Sequence, residues 1–464
     1  MWWDNDSTYR GNGKSNDFYF LSTISPLGEG EDEINRQWVH LSDELKSGLK
    51  AFLKKHNDSY GLQLPREDDL TSYDNANYLW LSYELINTIR NYNNAMRNPE
   101  THEVLPYCGQ IPYVQLRIKS LASSVSSAYP SATVNQYGAA LRPHYVIEFE
   151  NSFLALFMKK LCELFDDNPQ IIENKDGVKR VAYQFRAPIY RLKPFDKYFE
   201  TRHDIPATIF HTAVKMLISH ELAHVGLGHL DLNEKDHVFK SDVENIRCEE
   251  NEADIQAVCW TIGARFLESE NHQLELSLDD LAEELSLSVF TLYFLFTWNY
   301  SVDERVWNKD TLKEYGVQDH LPYQLRAYSV LNTAICRLKH IGEWSEQEGM
   351  ITSDNQPVTK KLMDEIIQEA MTMVHSYEVS LHMTQVKTEE VCELDDLGKK
   401  DEIEKMVRNE INERPPQLDK TQIPWKLGCE PEGQAELNSV CKRYQYVRQK
   451  LAESGTYCAL RPGN

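Results

Sequence analysis

The sequence predicts an α+β fold that is mainly helical and carries a small β-sheet, with helical extensions on both sides. From about residue 206 to 345 the pattern of apolar residues is mostly helical, whereas the β-rich runs come earlier in the chain. The length of 464 residues allows two or three domains. We therefore expect an N-terminal helical region at 1–105, a central domain at 106–345 and a C-terminal helical region at 346–464.

The predicted sheet rests on three short segments. Residues 111–118 alternate in part between polar and apolar side chains, and residues 145–149, "YVIEF", alternate cleanly. Asp176-Gly177 lies between two further β-rich runs, which indicates a hairpin whose second strand covers 181–185. Before these strands, residues 76–97 show the apolar spacing of a helix.

One apolar segment raises the question of whether the chain crosses a membrane. Leu285 to Trp298 carries no charge over fourteen residues, which is shorter than the 18 or so residues that a spanning helix needs. It follows Ser277, which can cap a helix, and Asp280, which falls in the first turn. We expect a buried core helix here and no membrane association.

The C-terminal region shows helical patterns but no motif with evident chemistry. The segment "KKLMDEIIQEAMTMV" places one apolar stripe along a helix, formed by Leu362, Met363, Ile366, Ile367, Ala370 and Val374. A last helix is predicted near 434–453. We expect these helices to pack or to bind a regulatory partner.

The composition indicates which kinds of binding partner and which cellular compartment to expect. Hydrophobic residues make up 41% and charged residues 26%, as in ordinary globular proteins with cores, and the net charge is -23. Such a charge argues against non-specific binding to nucleic acid or to anionic membranes. Nine cysteines without a C-x-x-C pair indicate reduced thiols, and the first residues show no secretory signal. A cytoplasmic location is the resulting expectation.

A single short motif carries the strongest chemical signal. His220-Glu221-Leu222-Ala223-His224 matches H-E-x-x-H. Residues four apart lie on one face of a helix, so the imidazoles of His220 and His224 can bind one Zn²⁺ ion. Glu221 is rotated by about 100° from His220, where it can reach a metal-bound water and act as general base. Gly226 and Gly228 predict that the helix ends soon after the motif.

A second helical segment offers the remaining ligand. Glu250 and Asp254 lie four apart in "CEENEADIQAVCW", so they share a helix face. Glu250 can complete a His₂Glu set around zinc. Asp254 can accept a hydrogen bond from the far nitrogen of a ligand histidine and so fix its tautomer. The small side chain of Ala253 would let the two helices approach each other.

Together these motifs resemble the gluzincin metallopeptidases. H-E-x-x-H followed by E-x-x-A-D is similar to the HtpX and CAAX-prenyl-protease type, in which a histidine also stands five residues past the second ligand, as His229 does here. That family has H-P-x-x-x-x-R downstream, and His320 and Arg326 keep this spacing with the proline displaced by one. The resemblance covers roughly residues 140–335, and unlike those membrane peptidases this chain shows no spanning helices.

The resemblance implies a zincin-like catalytic domain and a zinc-dependent endopeptidase. By resemblance, His320 would help to stabilise the oxyanion, Arg326 would brace the site, and His229 would support the ligands. An extended substrate peptide could pair with the strand at 145–149 or at 181–185. Large extensions suggest one specific protein substrate. By analogy with soluble phage-exclusion peptidases of the Lit type, a toxin or an antiviral defence protease is expected.

Two alternatives stay open at the level of sequence. The domain could be a non-catalytic zincin-like module that binds a partner or senses a ligand. It could also be a structural metal module in which His229 fills the fourth position. The metzincin class is excluded, because its glycine and histidine positions are occupied here by Leu227 and Leu230.

Overall fold

The computed structural model describes residues 204–267, 272–300, 320–381 and 418–454, seven short strand segments before residue 183 and a few isolated positions. Most of the described chain is helical, as predicted. The helices are α1 (Asp204–Leu227), α2 (His229–Lys235), α3 (His237–Lys240), α4 (Val243–Leu267), α5 (Leu278–Thr297), α6 (Tyr323–Glu348), α7 (Lys360–Leu381) and α8 (Pro431–Ser454), with 3-10 turns at Lys420–Gln422 and Pro424–Cys429.

The strand segments pair in three groups. They are β1 (Phe18–Phe20), β2 (Val39–Leu41), β3 (Tyr113–Lys119), β4 (Ala132–Tyr137), β5 (His144–Glu150), β6 (Gln170–Glu173) and β7 (Lys179–Ala182). β1 pairs with β2, and β6 pairs with β7, both antiparallel. β5 lies between β3, to which it is parallel, and β4, to which it is antiparallel. The helix predicted at 76–97 lies outside the described residues.

The position of β5 corrects one expectation about substrate binding. The segment 145–149 falls inside this central strand, whose backbone groups pair with β3 on one side and with β4 on the other. A strand with both edges paired has no free donors and acceptors for an added peptide. Among the described strands, β3 and β4 are the outer strands of this sheet, and β4 contacts α1 and α2.

Helix α1 is the centre of the helical body. It is apolar on nearly every side, and such a helix is stable only when neighbours cover it all round. α4 and α5 pack against it, and the contact with α4 contains two small buried side chains, Ala223 and Ala253, beside Leu227. The close approach expected from Ala253 is therefore observed. Any polar group on α1 at this depth requires a partner, because burial removes its hydration.

Helix α4 carries a row of buried polar residues, each with a partner on another element. Buried amides and carboxylates are retained in proteins when they are hydrogen-bonded. The partners come from α1, from the segment 229–242, from α6 and from α8. The pairs are Asn245 with Arg443, Glu249 with Asn233, Asn251 with Ser329 and Tyr444, Glu252 with His229 and Arg448, and Asp254 with His220 and Arg326. This row fixes the orientation of α4 relative to the motif on α1.

The apolar segment beginning at Leu285 forms part of the core helix α5. Ser277 caps the helix, its hydroxyl accepting a hydrogen bond from the backbone N–H of Asp280 at 3.2 Å, as the sequence predicts. Phe294 packs edge-on against Tyr377 of α7, with ring centroids 5.4 Å apart. Within the described part of the chain, no helix has the length and apolar character that crossing a membrane requires.

The C-terminal helices pack directly against the central helices. α7 buries its predicted apolar stripe, including Met363 and Ala370, against α5 and α6. α8, which matches the helix predicted near 434–453, packs on α4 and α2. Its Val440 and Val447 share one apolar cluster with Cys248 of α4. Helices α7 and α8, which belong to the predicted C-terminal region at 346–464, thus cover part of the core around the H-E-x-x-H motif.

Gly228 sets the sharp turn between α1 and α2. Its φ of 81° lies in the left-handed region, where an L side chain costs roughly 1–2 kcal/mol. We expect Gly228→Ala to lower the free energy of unfolding by about that amount, measured by denaturant titration. Gly349→Ala is the matched control, since Gly349 has a φ of 68°, has nothing near its Cβ position and lies far along the chain from the motif. Only Gly228→Ala should also weaken metal binding, because it shifts His229; equal effects on metal binding would contradict this.

Candidate metal centre

Two histidines on α1 face each other across one turn of the helix. The Nε2 atoms of His220 and His224 are 3.2 Å apart, and their rings are nearly perpendicular. Both residues are buried, with 8% and 7% of their surface exposed. The spacing of four residues therefore places both imidazoles on one face, as the sequence predicts.

Glu250 of α4 brings a carboxylate to the same point. Its Oε2 lies 3.3 Å from Nε2 of His220, and its Oε1 lies 3.5 Å from Nε2 of His224. Ligand bonds of about 2.0–2.1 Å in tetrahedral geometry put neighbouring donor atoms about 3.3 Å apart. The 3.2 Å between the two Nε2 atoms is close to that edge length, and the carboxylate meets each imidazole through a different oxygen. Among the described residues, these three side chains form the group that could hold a metal ion.

The far nitrogen of His220 is held by a carboxylate that is itself held by an arginine. Nδ1 of His220 lies 2.9 Å from Oδ1 of Asp254, a hydrogen-bond distance although the angle is poor. Arg326 donates two hydrogen bonds to Asp254, both 2.8 Å long. Such a carboxylate places the proton of a neutral imidazole on Nδ1 and leaves Nε2 bare for a metal. Asp254 and Arg326 thus occupy the places expected for them.

The far nitrogen of His224 is held by a second histidine. Nδ1 of His224 lies 3.1 Å from Nδ1 of His229, and Nε2 of His229 lies 3.3 Å from Oε2 of Glu252. His229 is fully buried. Because it contacts the side of His224 that faces away from Glu250, it is placed to orient that ligand and does not fill a fourth ligand position.

If each far nitrogen donates its proton to its neighbour, the two Nε2 atoms carry none. Two bare nitrogens and a carboxylate at 3.2–3.5 Å repel one another unless a cation lies among them. Without a metal, the cation has to be a proton. Although burial lowers the pKa of His220, Asp254 and Glu250 raise it to about 10, whereas burial lowers the pKa of His224 to about 4. A divalent ion satisfies all three groups at once, so the donor set fits zinc.

The carboxylates of the site differ in their charge state. Burial alone would raise the pKa of Glu250 and of Asp254. The histidines hold the pKa of Glu250 well below its usual range, and Arg326 lowers that of Asp254 to about 2. Burial raises the pKa of Glu221 to about 8, with His220 acting against this rise. A divalent ion beside Glu221 would lower its pKa again and favour the base form.

His320 stands at the exposed side of the group. Its Nδ1 lies 3.3 Å from Oε2 of Glu250, and about half of its side chain, 49%, is exposed. It comes from the segment just before α6, so its position depends on how α6 packs on α4. An exposed imidazole beside a candidate metal ligand can reach a group that enters from solvent.

The structure brings together all the residues singled out from the sequence. His220, Glu221 and His224 lie on α1, Glu250 and Asp254 on α4, and His320, Arg326 and His229 around them. Sequence reasoning missed Glu252 and Arg448, which extend the contact behind His229. Glu252 lies inside the quoted motif and was not assigned a role, and nothing in the sequence around Arg448 indicates one.

Comparisons with known proteins give no further information about this centre. Neither the protein-family models nor the curated proteins nor the solved structures include a match to the chain.

Proposed function

We propose that the protein is a zinc-dependent endopeptidase of the gluzincin type with a zincin-like α+β catalytic domain. One observation carries the proposal: His220, His224 and Glu250 bring one ligand atom each within 4.8 Å of one another, and this His₂Glu set is one that catalytic zinc sites use. No further His, Cys, Asp or Glu among the described residues joins them. Three protein ligands with one position left for water are typical of catalytic zinc, whereas structural zinc has four.

The chemistry would be divided among the residues of the chain. Zinc would supply Lewis acidity toward water and toward a peptide carbonyl. Glu221, next to His220 on the same helix, would take the proton of the attacking water and pass it to the leaving amine. His320 would donate a hydrogen bond to the oxyanion. Asp254 and His229 would keep the ligand nitrogens bare.

A substrate peptide would bind in extended form along a sheet edge. The three-stranded sheet has β4 at one edge, and β4 contacts α1 and α2. Pairing with an edge strand recognises backbone and tolerates many sequences. β4 is therefore the better candidate than the central β5, and β7, whose partner among the described strands is β6, is a second candidate.

The biological role proposed is cleavage of a specific protein in the cytoplasm, as a toxin or a defence protease. The acidic composition and the free thiols of the five described cysteines support that compartment. The C-terminal helices pack beside the metal centre. A regulatory partner that binds these helices would therefore be able to affect the centre. The alternative, a non-catalytic zincin-like binding or sensor module, would keep the metal and cleave nothing.

The deciding experiment compares purified wild type with Glu221→Gln. Zinc content is measured by elemental analysis, and cellular proteins exposed to each form are compared for new termini by mass spectrometry. Proteins cleaved by the wild type alone would identify the substrate. Equal zinc with no cleavage by either form would favour the sensor module.

His320 provides a separate prediction for the oxyanion role. We expect His320→Ala to lower kcat on the identified substrate by about a hundredfold, the cost of losing one oxyanion donor, with zinc content unchanged. His340→Ala serves as control, because His340 is an exposed histidine on α6. An unchanged kcat would exclude His320 from the reaction, and loss of zinc would make it a ligand.

A further inference from the structure

We propose that Glu252 and Arg448 are positioning residues that hold His224 in its metal-binding orientation through His229. The C-terminal helix α8 thereby becomes part of the support of the metal centre. This inference rests on the proposed zinc site, and it does not depend on which substrate is cleaved.

The hydrogen bonds form a chain with one consistent direction. His224 presents Nε2 to the metal position, so its proton sits on Nδ1 and is donated to Nδ1 of His229, 3.1 Å away. His229 must then carry its own proton on Nε2, which lies 3.3 Å from Oε2 of Glu252. Arg448 donates to the other oxygen of Glu252 at 3.2 Å and 3.4 Å.

Glu252 decides which nitrogen of His229 is protonated. Two Nδ1 atoms face each other, and only one of them can donate. If Glu252 did not accept from Nε2, the proton of His229 could move to Nδ1 and point at His224. His224 would then have to accept on Nδ1 and carry its proton on Nε2, the nitrogen that has to bind the metal.

The two ligand histidines are supported differently. His220 is backed by Asp254 and Arg326, which lie on α4 and α6. His224 is backed by a longer chain that ends at Arg448, on α8. Both chains end in an arginine that neutralises a carboxylate. In the chain behind His224, the last contact joins Glu252 to Arg448, which is 196 residues later in the sequence. Arg448 lies on a helix outside the region of family resemblance.

The packing of α8 places Arg448 where it is needed. Val440 and Val447 are buried in the cluster shared with α4, and Tyr444 bonds to Asn251. Arg443, one turn and a residue earlier, pairs with Asp242 and Asn245. Glu252 is 11% exposed and Arg448 53% exposed, so the carboxylate depends on its partners while solvent screens the arginine.

The test measures zinc affinity of the full chain by competition with a chromophoric chelator, and ligand geometry by Co²⁺ absorption. We expect Glu252→Ala to weaken zinc binding by about 10- to 100-fold, the usual cost of removing a group that orients a ligand histidine. Glu252→Gln should recover most of this, because its amide oxygen can still accept from His229. Arg448→Ala should cost about threefold to tenfold, because its partial exposure reduces the effect.

Arg443→Ala is the matched control. Arg443 also joins α8 to the segment that contains α4, but it does not touch Glu252 or His229. We expect it to lower thermal stability about as much as Arg448→Ala and to leave zinc affinity and the Co²⁺ spectrum unchanged. In the Glu252→Ala background, Arg448→Ala should have no further effect on affinity.

The outcomes separate this inference from the proposed function. Wild type that binds no zinc would overturn both. Tight zinc binding by the wild type and by Arg448→Ala and Glu252→Ala alike would overturn the inference and leave the metal centre standing. Equal weakening by Arg443→Ala and Arg448→Ala would show that α8 acts through packing alone, which also overturns it. Should Glu252→Ala fail to fold, the comparison of Arg448→Ala with Arg443→Ala still decides, because Arg448 is half exposed and its loss should leave the fold intact.

Discussion

Glu221→Gln is expected to abolish proteolysis and to leave one zinc ion bound per chain. The substitution keeps the size of a buried side chain but removes the base that takes a proton from water. General acid–base catalysis contributes about 10²–10⁴-fold to rates, so activity should fall by at least that factor. Zinc should stay, because the ligand atoms of His220, His224 and Glu250 are untouched.

Glu244→Gln provides the control for this change, since Glu244 is an exposed carboxylate on α4. It should leave both cleavage and zinc content as in the wild type. If zinc-loaded Glu221→Gln cleaved substrate at the wild-type rate, the proposed gluzincin mechanism would be wrong. A loss of zinc together with activity would place Glu221 among the ligands.

Glu250→Gln is expected to remove the metal. A neutral amide cannot balance the charge of the ion, and two imidazoles alone give an incomplete site. We expect zinc affinity to fall by more than about a hundredfold, the upper end of the cost of losing an orienting group. Elemental analysis after dialysis against a weak chelator measures this directly.

The neighbouring Glu249 offers a matched control. Glu249→Gln alters an adjacent, buried carboxylate that accepts a hydrogen bond from Asn233 at 2.8 Å. Burial raises the pKa of Glu249 to about 7, so a neutral amide resembles a form that the native side chain already adopts near neutral pH. Its zinc content should match the wild type. Retention of zinc by Glu250→Gln would mean that the carboxylate is not a ligand.

Local spacing carried most of the information about the metal site. Residues four apart share a helix face whatever the rest of the chain does, so His220 and His224, and likewise Glu250 and Asp254, could be paired from sequence. The end of α1 at Leu227 could be predicted as well, because Gly228 tolerates a positive φ. The core helix α5 followed from its capping serine and its short apolar run.

Contacts between segments that are distant in the sequence could not be predicted from local spacing. The partner of His224 is His229, yet whether a nearby histidine binds the metal or orients a ligand depends on the angle of the turn at Gly228. Nothing around Arg448 distinguishes it from other exposed arginines of a charged helix. Of the two strands offered for peptide pairing, 145–149 and 181–185, the first lies between β3 and β4, which the sequence could not show because strand order is set by packing across the sheet.

By itself, the sequence determined which side chains could share a helix face and which of them have metal-binding chemistry, since both follow from residue type and from the pitch of a helix. The tertiary structure alone decided that α1 and α4 pack together at their alanines, that the side chains of His220, His224 and Glu250 meet, and that α8 closes the chain of hydrogen bonds behind His224. These features depend on how apolar surfaces are buried against each other, and the contact between α4 and α8 joins residues that are 196 apart in the chain.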